Sequence, residues 1–167
     1  MNFFKPAVLA AVSTLALNAS ATTTDWFTHD LLEVAAAITP VGAFEDTYLF
    51  TLASANSAMS TTVSNNLSGV LGLSDGNVAL YMEAGAVDVA MGNYAFNDVT
   101  GSISYDFGAL AAGSYYYAVT GLGTGSAGGF YTLSSTVSPI PEPESYALML
   151  AGLGVMGLLL KRSQNQR

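Results

Sequence analysis

The sequence predicts an all-β fold, a single β-sandwich or jelly-roll domain with a signal-peptide helix before it and a transmembrane helix after it. Three observations predict this. Short stretches with apolar residues at alternate positions recur through the middle of the chain, separated by Gly, Pro, Asn, Asp and Ser. A pleated strand places alternate side chains on one face, so such stretches read as half-buried strands. Charged residues are only 10% and glycine reaches 17 of 167 residues, against about 25% charged in an ordinary soluble protein. Finally, apolar runs close both ends, which divides the chain into 1–21, 22–138 and 139–167.

The first segment reads as a secretory signal peptide. Lys5 supplies the charged start, Ala7–Leu17 the short apolar region, and Ala19-Ser20-Ala21 the small-residue cleavage site, with Ala19 and Ala21 at the two small positions. Residues 24–38 fit a helix through Phe27, Leu31, Val34 and Ile38, and a strand through Leu32, Val34, Ala36 and Ile38. Their strand-like surroundings favour the strand. Residues 44–52 form the clearest strand, with Tyr48, Phe50 and Leu52 on one face. Phe44 and Asp46 share that parity, and a carboxylate on a core face needs partners. Asp46 is therefore expected at the strand mouth, capping backbone N–H groups.

Further strands are expected at 58–63, 67–73 and 78–82, the last two joined by a hairpin turn at Ser74-Asp75-Gly76-Asn77, because Asp-Gly supplies positive φ readily. Alternation continues at 101–107 through Ile103, Tyr105 and Phe107, at 113–120 through Tyr115, Tyr117 and Val119, and at 130–137 through Tyr131, Leu133 and Val137. Seven or eight strands at this spacing argue for a sandwich or jelly roll rather than a repeat array.

The tail has three parts in order: Pro141-Glu142-Pro143, a charge-free run from Tyr146 to Leu160, and the basic stop Lys161-Arg162. Prolines halt any upstream element. As a helix the fifteen residues 146–160 span about 22 Å, short of the roughly 30 Å hydrocarbon core, with Lys and Arg able to snorkel. A membrane-spanning helix is the expectation. This tail resembles the PEP-CTERM sorting signal of Gram-negative bacteria that make exopolysaccharide. The Phe44-x-Asp46-x-Tyr48 pattern is similar to that of the FxDxF family of PEP-CTERM proteins. The resemblance implies an exosortase partner that recognises Pro141, Glu142 and Pro143, membrane tethering that is temporary, and delivery to the cell surface or an exopolysaccharide matrix. Residues 110–121 with 128–134 are also similar to the last strands of bacterial pre-peptidase C-terminal domains, a likeness of fold alone.

Charge and residue types exclude several chemistries. The basic residues are Lys5, Lys161, Arg162 and Arg167, so residues 22–140 contain no Lys or Arg and ten acidic side chains. Nucleic acid demands cations at its phosphates, so no nucleic-acid partner is expected. With no cysteine there is neither thiol nucleophile nor disulfide. His29 is the only histidine; it is expected to be a satisfied surface residue rather than a metal ligand with Asp30 and Glu33. Gly152-x-Gly154-x-x-Gly157 has dinucleotide-fingerprint spacing but lies in the apolar tail without a preceding strand. Asp75, Glu83, Asp88, Asp98 and Asp106 lack calcium-loop spacing and read as a solvated acidic face. Tyr116 is the one tyrosine of the 115–117 run expected to be exposed, where it could stack on a sugar. No catalytic residue, metal or cofactor is expected. The predicted function is a non-enzymatic exported surface or matrix protein, with a polysaccharide-binding module, dependent on calcium, as the alternative.

Overall fold

Nine strands and one helix make up the computed structural model, which describes residues 20–140 and 143–164. The segment through Ala19, and Pro141 and Glu142, lie outside the described residues. The strands are β1 (Ser20–Thr28), β2 (Leu32–Thr39), β3 (Gly42–Leu52), β4 (Asn56–Ser64), β5 (Leu73–Met82), β6 (Val89–Phe96), β7 (Ser102–Leu110), β8 (Gly113–Gly123) and β9 (Gly129–Pro139); the helix is α1 (Pro143–Gln164). They form a five-stranded sheet in the order β1-β3-β8-β5-β6 and a four-stranded sheet in the order β2-β9-β4-β7. All neighbours are antiparallel except β1 and β3. The fold is the all-β sandwich that the alternation predicts.

The core lies between the sheets. Strands β3, β5 and β8 contribute Phe44, Tyr48, Phe50, Val78, Leu80, Tyr115, Tyr117 and Val119, and β9 answers with Tyr131, Leu133 and Val137. Each fully buried aliphatic or aromatic side chain contributes about 1.5–3 kcal/mol relative to exposure. The predicted inward sets of 44–52, 113–120 and 130–137 are buried as expected.

Elsewhere the structure corrects the sequence. Residues 24–38 are extended, but as two strands: β1 joins one sheet and β2 the other. The chain crosses over at residues 29–31, where His29 N donates to Thr51 O and Leu31 O accepts from Val137 N. Residues 67–72 are no strand, and Leu73 opens β5. Asn66 Oδ1 accepts from Gly69 N, and Ser68 and Gly69 take positive φ, which folds a tight turn closed by a Leu67–Leu71 bridge. The Asp75-Gly76 pair makes no hairpin either. It lies inside β5, where Asp75 has φ 52 and the pairing with β8 slips between Ser74 and Asn77. The positive φ that favours a turn here serves a bulge. A Cβ on Gly76 would lie 2.6 Å from Phe96 O, so the bulge also needs glycine for close approach. Strand β6, with Tyr94 and Phe96 inward, is a further strand that the alternation does not predict. Finally, Tyr105 is 38% exposed, because β7 is a sheet edge; it stacks on Tyr94 with ring centres 5.6 Å apart.

The transmembrane expectation is also corrected. Helix α1 forms and runs longer than 146–160, yet among the described residues no helix is long and apolar enough to cross a membrane. The charge-free run is diluted by Gly152, Gly154 and Gly157, and Lys161 and Arg162 sit inside the last helical turn rather than beyond it.

Two glycine substitutions should separate packing from backbone preference. A Cβ on Gly123 would come within 2.1 Å of Pro40 O, whereas Gly85, at φ 91, has open space around it. Gly123→Ala should lower unfolding free energy by about 3 kcal/mol, the upper end of overpacking, and Gly85→Ala by only about 1 kcal/mol. Urea titration followed by tryptophan fluorescence measures both; equal losses would contradict this packing.

Candidate functional site

The tail leaves the sandwich without a spacer. Pro139 still pairs with Asn56, and Ile140 N donates to Ala55 O at 3.3 Å. Helix α1 then starts at Pro143, a position where proline's missing N–H costs nothing. Only positions 141 and 142 separate the last backbone bond of the sandwich from the helix. Along α1, Tyr146, Leu148, Met149, Leu150, Leu153, Val155 and Met156 are all more than half exposed. Lys161 and Arg162 occupy the last turn, where cations suit the negative end of the helix dipole.

The Phe44-Asp46-Tyr48 face is a buried polar centre. Asp46 is 5% exposed and its carboxylate accepts from the Tyr131 hydroxyl at 2.6 Å and from the Thr22 hydroxyl. With the Tyr131 proton committed to Asp46, Tyr48 donates to the Tyr131 oxygen at 2.8 Å. Phe44 stacks on the Tyr131 ring at 5.7 Å. Asp46 thus bonds side-chain hydroxyls from β1 and β9 and not the backbone N–H groups expected of it. The physical reason is its depth: at the middle of β3 the neighbouring N–H groups are spent in the ladders to β1 and β8.

His29 is buried at 8% exposure rather than a surface residue. Its Nδ1 faces the Asp30 carbonyl, to which it donates, and its Nε2 meets Ser135 Oγ at 2.8 Å. Tyr117 in turn donates to Ser135 Oγ at 2.9 Å. Phe50 and Trp26 meet the imidazole edge-on, 4.9 and 5.9 Å away. Asp30 and Glu33 bond to each other locally, Asp30 N donating to Glu33 Oε1. A second hydroxyl group joins Tyr94 to Ser60 and Thr62 at 2.8 and 2.7 Å.

The remaining acidic candidates are dispersed into separate local bonds. Asp98 accepts from Asn66 Nδ2 and Leu73 N, Asp106 from Gly108 N, and Asp75 from Ser74 Oγ. Among the described residues no three His, Asp or Glu side chains converge as a metal site would require. Tyr116 is half-buried, not free. It stacks on Tyr81 at 5.1 Å and donates to Asp88 Oδ2 at 2.9 Å, and burial followed by that bond pushes its phenol up to about 12.

These features define the class: an all-β domain carrying an exposed C-terminal helix. Residues 139–163 match the PEP-CTERM protein-sorting motif, so the tail is a PEP-CTERM sorting motif. The match excludes Phe44, Asp46 and Tyr48. No curated protein matches the chain. Solved structures are similar to it, two of them as follows. One is the pre-peptidase C-terminal domain of collagenase from Bacillus anthracis, 18% identical over 72% of this chain and 96% of that one, with a TM-score of 0.43. The other is CorA, a surface-associated copper-binding protein of Methylomicrobium album BG8, 12% identical over 73% of this chain and 100% of that one, with a TM-score of 0.42. At these values neither likeness bears on what this chain does.

The hydroxyl centres generate two predictions. Tyr131→Phe removes the donor to a buried carboxylate and strands the Tyr48 hydroxyl, which should cost about 1–3 kcal/mol in urea unfolding; an unchanged midpoint would refute the network. Burial raises the phenols of Tyr48, Tyr94, Tyr115, Tyr117 and Tyr131. In the unfolded chain these groups titrate near pH 10. The unfolded state therefore loses protons first, and stability should be intact below about pH 10 and fall as pH rises further. Unfolding free energy flat from pH 9 to 11, with tyrosinate absorbance rising before the fold is lost, would contradict this.

Proposed function

We propose that this is an exported, non-enzymatic surface protein whose signal segment is removed after Ala21 and whose tail is processed by an exosortase at Pro141-Glu142-Pro143. The single observation that carries the reading is the PEP-CTERM motif at 139–163. The structure supports it physically. Strand β9 leads into the tail, and the helix residues Tyr146–Met156 whose exposure is described face solvent. The destination we propose is the cell surface or exopolysaccharide matrix. A charge-poor, lysine-free, cysteine-free sandwich suits a passive extracellular module. Its one imidazole and its buried hydroxyls are committed to one another, which supports a structural role for them over catalysis.

Mass spectrometry of the mature C-terminus in cells with and without exosortase tests the reading. Peptides covering Tyr146–Leu160 should vanish from the surface fraction only when the enzyme is present. Their equal persistence in both strains would refute it, as would normal processing of a Pro141→Ala/Pro143→Ala double variant.

A further inference from the structure

Asp46 presents a charge problem that the folded domain does not solve. Its carboxylate is 5% exposed, and residues 22–140 contain no Lys or Arg. Hydroxyl donors from Tyr131 and Thr22 satisfy its oxygens but leave its charge uncompensated, and burying an unpaired charge is costly. The other groups near it are neutral phenols or point elsewhere. Tyr48 reaches it only through Tyr131, Glu45 is exposed on the opposite face of β3, and His29 is held by Ser135 and Asp30. Lys161 and Arg162 lie in the tail.

Thr22 is the residue that β1 sets beside Asp46, both by ladder register and by its hydroxyl bond. It is also the residue that follows Ala19-Ser20-Ala21. Hydrolysis of the Ala21–Thr22 peptide bond consumes one water, leaves a carboxylate on Ala21 and an ammonium on Thr22. That nitrogen is three bonds from the oxygen that already touches Asp46. The cut falls inside β1: it removes the pairs of Ser20 with Phe44 and Ala21 with Glu45 and leaves those of Thr22–Asp25.

We propose that signal-segment removal completes an ion pair between the α-ammonium of Thr22, on the exposed edge strand, and the buried carboxylate of Asp46. The inference rests on the cleavage position in the preceding reading. Processing then does more than release the chain. It supplies the one cation the domain lacks, so the precursor is the less stable form and the mature protein locks its edge strand β1 onto β3 after export.

Intact-mass analysis of the exported protein first establishes its N-terminal residue; a mature chain that begins anywhere but Thr22 refutes the cleavage reading and this proposal with it. The mature protein is then acetylated at its α-amino group in denaturant and refolded. Acetylation should lower Tm by roughly 3–8 °C, the shift expected for a lost interaction in a domain of this size. In Asp46→Asn the same acetylation should shift Tm by less than about 1 °C, because no charge remains to pair. An equal shift in both proteins would assign the effect to the bulk of the acetyl group and overturn the ion pair, as would no shift in either. Should Asp46→Asn fail to fold, the folded native protein's α-amine can be probed alone. Paired, it should acetylate at least tenfold more slowly than in the denatured chain and titrate above the usual range of about 7.7–8.0; an ordinary rate and titration would overturn the proposal.

Discussion

Polar groups taken between the two sheets must find partners there, and this domain has few kinds of side chain with which to provide them. It has no Lys, Arg or Cys between residues 22 and 140, so its interior polarity is built from hydroxyls. Tyr48, Tyr131 and Thr22 close around Asp46; Tyr117 and Ser135 close around His29; Ser60 and Thr62 close around Tyr94. Among the described residues no buried side-chain nitrogen or oxygen is left without a partner. Each centre joins strands of opposite sheets, so the hydroxyls fix how the sheets face each other while the rings around them supply the apolar burial.

The same economy governs the backbone. Small residues let strands bulge and cross where larger ones would clash. Asp75 and Gly76 kink β5 beneath Phe96, and Gly123 and Gly128 let the β8–β9 connection pass against Thr39 and Pro40. Phe27, at φ 58, ends the regular pairing of β1 just before the chain crosses to the second sheet. These are positions where local turn chemistry serves the sheet instead of ending it.

The sorting tail follows the sandwich closely along the chain. Because Ile140 is still bonded to Ala55, an enzyme acting on the tail works against the end of a folded domain. The tail and the domain also divide the charge: every cation outside the signal segment is in the tail, and ten of the twelve acidic residues are in the domain. Loss of the tail therefore leaves a strongly acidic module.

By itself the sequence determined the all-β class, the inward faces of β3, β8 and β9, and the sorting tail, because period-two alternation and the Pro-Glu-Pro motif are local patterns that need no partner to be read. It also placed Phe44, Asp46 and Tyr48 on one core face. Only the tertiary structure decided what that face does. Asp46 meets Tyr131 across 85 residues of chain and Thr22 across 24, and no local pattern encodes which hydroxyls arrive. His29 was misread for the same reason: its partner Ser135 lies 106 residues away. Asp75-Gly76 is ambiguous in principle, since positive φ suits a hairpin and a bulge alike, and the strands on either side of β5 made the choice. Strand β6 went unseen because Gly92 and Asn93 interrupt its pattern, and its extended form depends on pairing with β5. Local alternation set which residues turn inward; long-range pairing set what they meet there.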